Sequence, residues 1–128
     1  MNPSIEQYFD AIEARLIQSP AVVSYRVVRR EVAQSDGKLR IQAILSDGGA
    51  LELFVYVVWT KGYVRLVRYS FHWQDVDRKL RQRWDNVPHY PGLRYAPHHV
   101  HTPDGGVDGL AEMPDVSTVI GRLEEVLL

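Results

Sequence analysis

The sequence predicts an α+β fold: an N-terminal helix, a four-stranded antiparallel meander, a long loop rich in histidine and proline, and a C-terminal helix. Three observations predict it. Apolar residues recur at helical spacing near both ends, they alternate at period two through the middle, and short turn sequences separate the alternating stretches.

Asn2 suits the N-cap of the first helix and Pro3 its first helical position. Ile5, Tyr8, Phe9, Ile12 and Leu16 form one apolar stripe, with Glu6, Asp10, Glu13 and Arg15 elsewhere on the wheel. Ser19-Pro20 ends the helix, because the residue before proline is pushed out of the α region. Residues 21–33, rich in Val, Tyr and Arg, are the first strand, and Ser35-Asp36-Gly37-Lys38 is the turn after it. In the second strand Leu39, Ile41, Ala43 and Leu45 alternate with Arg40, Gln42, Ile44 and Ser46, giving one buried face. Asp47-Gly48-Gly49 is the next turn. Residues 51–60, apolar on both faces, predict a central strand. Lys61-Gly62 leads into a fourth strand at 63–74. Short turns between successive strands imply antiparallel pairing. Prolines and glycines then punctuate a long loop up to Pro114-Asp115, where a last helix starts with Val116, Val119, Ile120, Leu123 and Leu127 on one stripe.

Composition narrows the function. The chain has 128 residues, 15 Lys+Arg against 16 Asp+Glu, and no cysteine. This length suits a single domain over residues 1–128. A disulfide framework, a cysteine-zinc site and a thiol nucleophile are excluded. Near-neutral charge excludes a general polyanion binder but not a local basic patch. The longest apolar run, residues 53–59, is far short of the roughly 20 residues a membrane span needs. The opening MNPSIEQYFD has no signal-peptide pattern, so a cytoplasmic location is expected, away from any membrane. The charge is unevenly spread. Residues 61–101 hold eight Lys+Arg, all five histidines and only three acids.

Three motifs in that segment carry chemistry. In the fourth strand, alternation puts Arg68, Ser70 and His72 on one face after Val64 and Leu66, and Val67, Tyr69, Phe71 and Trp73 on the other. Next, Arg83 and His89 flank a turn built from Asp85, Asn86 and Pro88, with Trp84 as its core anchor. The third motif is Pro97-His98-His99-Val100-His101. In an extended segment His99 and His101 point one way and His98 the other. A histidine-x-histidine pair can hold zinc or a related ion, with His89, Asp85 or His72 completing the set. The same residues also serve RNA cleavage by the 2′-hydroxyl, which needs a base, an acid and cations on the phosphate. Histidine suits the proton transfers and arginine the phosphate. Tyr90, Tyr95 and Trp73 are candidates to stack bases.

Tyr69-Ser70-Phe71-His72-Trp73-Gln74-Asp75, then Arg83-Trp84-Asp85-Asn86-Val87-Pro88-His89-Tyr90-Pro91, then Pro97-His98-His99-Val100-His101, resemble the TumE family of small toxins from prokaryotic type II toxin–antitoxin pairs. The resemblance covers about residues 40–128, in order. Tyr90 and Val87 stand where the family pattern has histidine and alanine. The resemblance implies a toxin neutralised by a cognate antitoxin. At the level of fold, a helix followed by an antiparallel sheet is also similar to the RelE-type ribonuclease toxins.

The favoured reading is an endoribonuclease toxin acting without metal or other cofactor. Its catalytic candidates are His72, Arg83, Asp85, His89, His98, His99 and His101. Its RNA-binding candidates are Arg68, Ser70, Trp73, Tyr90 and Tyr95. A non-catalytic protein-binding module and a His-ligated metal-dependent hydrolase are the alternatives. An exposed strand edge or helix stripe would also allow a homodimer.

Overall fold

The computed structural model describes residues 3–88 and 90–128. Two helices pack on one face of a seven-stranded antiparallel sheet whose strands lie side by side in chain order. The order is α1 (Ile5–Gln18), β1 (Val22–Val32), β2 (Asp36–Leu45), β3 (Ala50–Thr60), β4 (Tyr63–Gln74), β5 (Leu80–Asp85), β6 (His99–His101), β7 (Val107–Gly109) and α2 (Val116–Leu127).

The expected meander is therefore right in class but short by three strands. Two of these are only three residues long. So short a run carries no readable period, and its pairing comes from its neighbours rather than from its own pattern.

Both helices form where their stripes require. Ser4, not Asn2, caps α1: its side chain accepts from the Gln7 amide, and the Gln7 side chain accepts from the Ser4 amide, a reciprocal capping box. Asn2 lies outside the described residues. Ile5, Phe9, Ile12 and Leu16 are buried, each contributing about 1.5–3 kcal/mol relative to exposure. Asp115 caps α2 by accepting from the Thr118 amide, and Val116, Val119, Ile120 and Leu123 are buried. Between the helices Arg15 Nη2 meets Glu124 Oε1 at 2.7 Å, and Ser19 Oγ donates to Glu124 Oε2 at 2.8 Å.

The helices cover one alternating set of each strand: Leu39, Ile41, Ala43 and Leu45 of β2, Leu51, Leu53, Val55 and Val57 of β3, and Tyr69, Phe71 and Trp73 of β4. Trp84 and Val100 extend this core into β5 and β6. The first turn falls earlier than expected. Ala33 donates to the Asp36 carbonyl, and Gly37 already pairs with Val32 and Val57 within the sheet. A Cβ at Gly37 would stand 2.7 Å from Ile5 Cγ2 and 3.1 Å from Phe9, so glycine here lets α1 approach the sheet.

A bulge in β4 corrects the expected phase. Tyr56 pairs with Arg68 and Val57 with Leu66, leaving Val67 as the extra residue. Leu66 and Val64 therefore pack against the core, while Val67 is exposed. From Tyr69 onward the expected alternation holds.

Candidate active site

Side chains on the sheet face away from the helices line up in rows fixed by register. One row runs Gln42, Glu52, His72, Arg83, His101 across β2 to β6. The next runs Arg40, Phe54, Ser70, Asp85, His99. Residues from three separate sequence motifs thus become lateral neighbours, because directly opposed residues in antiparallel strands stand about 5 Å apart.

Asp85, at the end of β5, gathers contacts from both rows. It is 2 % exposed, as is His99, and with Ser19 they are the buried polar residues among those described. Oδ1 of Asp85 lies 2.8 Å from His99 Nε2, and Oδ2 lies 3.1 Å from Arg83 Nε and 3.7 Å from His101 Nε2. Oδ1 also accepts from the Val87 amide at 3.1 Å, the Asx contact expected of this turn. The carboxylate is close to three nitrogens, yet neither His99 Nε2 nor Arg83 Nε is aligned for a hydrogen bond. These contacts are ion pairs by distance without hydrogen-bond direction.

His99 is held by its other nitrogen. Nδ1 stands 2.8 Å from the Pro97 carbonyl oxygen, which can only accept, so Nδ1 carries the hydrogen. In the neutral ring Nε2 then bears the lone pair, facing the carboxylate. Ligand atoms of Asp85, His99 and His101 all lie within 4.8 Å of one another, so these three could hold a metal ion. Tyr90 stands edge-on to both rings, 5.3 Å from His99 and 6.0 Å from His101 between centroids.

His72 sits between Glu52 and Arg83 in the first row. Burial and the adjacent Arg83 cation lower its pKa, against a smaller opposing pull from Glu52. It also lines a cleft of about 500 Å³ with Gln42, Ile44, Glu52, Gln74 and Arg78. The basic run is divided by the β4–β5 hairpin. Arg78 lies at this cleft, while Arg81 covers the Trp73 ring at 4.7 Å.

Other candidates fall elsewhere. His98 turns toward the opposite face, as alternation requires. Its Nδ1 shares a 2.8 Å hydrogen bond with the Tyr69 hydroxyl, and the two rings stack at 5.8 Å. Burial raises the Tyr69 pKa far above its ordinary range, with the Asp85 charge adding to it. Trp73 is 1 % exposed in the core and has no face left for a base, so the expected stacking role does not fit this fold. Tyr95 is half exposed, with the Arg94 guanidinium over its ring, and does not join the cluster. Arg68 lies one row beyond Ser70, paired with Tyr56. His89 lies outside the described residues.

Sequence reading missed Glu52, Phe54 and Tyr56, which alternate with the buried residues of β3. Phe54 and Tyr56 carry Arg40 and Lys38 over their rings at 4.7 and 5.8 Å, and Glu52 binds Arg40 at 2.6 Å. The lone acid at Glu52 was the readable signal: it marks the phase of the open face in an otherwise apolar strand. Asn86 was also more than a turn former. Its Oδ1 accepts from the Tyr69 amide at 3.1 Å and its Nδ2 donates to the Val67 carbonyl at 2.9 Å, continuing the sheet pairing beside the bulge.

The segment joining β5 to β6 runs through successive turns, Leu93 donating to the Tyr90 carbonyl and Ala96 to that of Leu93. It crosses β7 so closely that a Cβ on Gly109 would fall 1.7 Å from the Arg94 carbonyl oxygen. No helix is long and apolar enough to cross a membrane among the described residues. Comparison with known proteins finds that the family model described as Toxin TumE matches residues 12–128. No curated protein and no solved structure matches.

Proposed function

This chain belongs to the TumE toxin family, and from that premise we propose that it is the toxin of a type II toxin–antitoxin pair and acts by cutting RNA. The observation that carries the reading is the direct pairing of His72 with Arg83 on the helix-free face. An imidazole with lowered proton affinity lies beside a permanent cation, at the edge of an open cleft. His72 takes the proton of the 2′-hydroxyl, whose oxygen attacks phosphorus. Arg83, set by Asp85, supports the charge that builds on the phosphate oxygens. The bond to the 5′-oxygen breaks, and that oxygen needs a proton from an acid, a role the recognised motif offers to His89. The products are a 2′,3′-cyclic phosphate and a 5′-hydroxyl, and no water is consumed. A cognate antitoxin is the partner that family membership implies.

Expression of the wild type should arrest growth, and purified protein should leave cyclic-phosphate ends on cleaved RNA. His72→Ala and Arg83→Ala should each lower cleavage by about 100-fold or more with an unchanged circular dichroism spectrum. Full toxicity in both variants would sink the assignment of the site. Wild-type protein that arrests growth without cutting RNA would sink the chemistry.

A further inference from the structure

We propose that Asp85, His99 and His101 form a binding site for one divalent first-row transition-metal ion. The ribonuclease chemistry above does not use such an ion; the two readings share Asp85, and His101→Gln separates them because His101 has no step in that chemistry. For these three residues, the proposal departs from the metal-free expectation.

The first argument is the orphaned nitrogen. His99 is 2 % exposed, and its Nε2 is buried without a hydrogen-bond partner. The hydrogen on Nδ1 is committed to the Pro97 carbonyl, so the neutral ring presents a lone pair at Nε2. That lone pair is 2.8 Å from a carboxylate oxygen, and both side chains are almost fully buried. Two electron-rich atoms at this distance need a positive charge between or beside them. A proton on Nε2 is the simplest candidate, but a hydrogen there would not point at Oδ1, because the pair lacks hydrogen-bond alignment. An ion beside the pair fits the same positions better. Two ligand atoms 2.8 Å apart, each about 2.1 Å from one ion, subtend roughly a right angle, the angle of adjacent ligands in a six-coordinate site.

The second argument is the donor set and its support. Two imidazoles and one carboxylate, converging from adjacent strands, match the three-ligand arrangement used for divalent transition ions. Metal-binding histidines commonly donate their other ring hydrogen to a backbone carbonyl, which fixes tautomer and orientation, and the His99–Pro97 contact does this. Asp85 is steadied by the Val87 amide. The His101 side chain is 25 % exposed, so the site opens to the helix-free face and leaves coordination positions for water or a phosphate oxygen. Arg83, 3.1 Å from Oδ2, is the competing cation. It balances the carboxylate from the Oδ2 side and leaves the Nε2 lone pair of His99, on the Oδ1 side, without a donor or cation of its own.

The test uses full-length protein without a histidine tag, stripped with chelator and titrated with Zn²⁺ and Co²⁺. Calorimetry should give one ion per chain, and Co²⁺ should develop a visible absorption band. His101→Gln and Asp85→Asn should each weaken binding by about 100-fold, and His72→Ala should leave it unchanged. His101→Gln serves as the main variant because its partly exposed side chain is less important to folding than buried His99. Nitrogen-15 spectra of the wild-type imidazoles give a readout without substitution, since Zn²⁺ should shift His99 Nε2 and leave Nδ1 protonated. Three results would overturn the site: no binding by stripped wild type at millimolar ion, binding unaltered in both ligand variants, or a His99 Nε2 signal indifferent to Zn²⁺. An ion that binds as described to a protein that cuts no RNA would keep the site and discard the ribonuclease reading.

Discussion

His72 shows how strand register turns an ordinary histidine into a candidate base. Its lowered proton affinity comes first from burial and then from Arg83, the residue paired with it across β4 and β5. Two consequences have definite signs. Removing the cation in Arg83→Ala should raise the His72 pKa toward its ordinary value, as nitrogen-15 titration of the ring would report. A pKa that stays put would mean that burial alone sets it. For stability, the folded state binds this proton less readily than the unfolded chain. The contribution of His72 is thus fully present above the ordinary histidine value and declines as pH falls through it toward the lowered folded value. His99 contrasts with it in being dry, oriented by Pro97 and facing a carboxylate, which is why the two rings have different proposed roles.

Strands β5 and β6 do most to build the site, although they are short. Six and three residues respectively are enough because β4 offers a long, well-paired edge and Trp84 and Val100 anchor them in the core. The segment between them brings Tyr90 over the His99 and His101 rings, and its path depends on the absent side chain of Gly109. Gly109→Ala should push the 90–97 segment off β7, since a Cβ cannot stand 1.7 Å from a carbonyl oxygen. Amide hydrogen exchange should rise in residues 90–101 while β2 and β3 remain protected, and toxicity should fall. Unchanged exchange in this segment would show that the crossing is looser than its geometry.

At the scale of the molecule, placing both helices on one face leaves the other without a helix, and the two faces divide the work. The covered face holds the core. Its rim is tied by Arg30, which gathers Glu6, Asp10 and Glu13 of α1, and by Arg15 with Glu124 between the helices. The open face carries Lys38, Arg40 and Arg68 around the Phe54 and Tyr56 rings; Arg40 and Phe54 share the row of Asp85, and Lys38, Tyr56 and Arg68 form the next row, on the side away from His72. Aromatic rings among cations suit a single-stranded nucleic acid. If RNA lies along this face, Lys38→Ala, Arg40→Ala and Arg68→Ala combined should weaken binding and make its dependence on log salt shallower by about 2. An unaltered slope would move the RNA path elsewhere.

Both helices, the antiparallel class, the interior place of β3 and the opposite directions of His98 and His99 were legible in sequence. Each depends on a local period, a proline stop, a short turn or a stretch apolar on both faces, and these need no distant partner. The candidate site was legible only as a set of residues crowded between His72 and His101 with few acids. Which of them meet was decided by tertiary structure. The bulge at Val67 resets the face of half a strand, and pairing of β5 with both β4 and β6 sets Asp85 beside His99 and His72 beside Arg83. The same packing removes Trp73 and His98 to the helix side. Periodicity says which residues share a face of one strand. Register says which strands bring those faces together, and it is fixed by hydrogen bonds and side-chain fit between segments far apart in the chain.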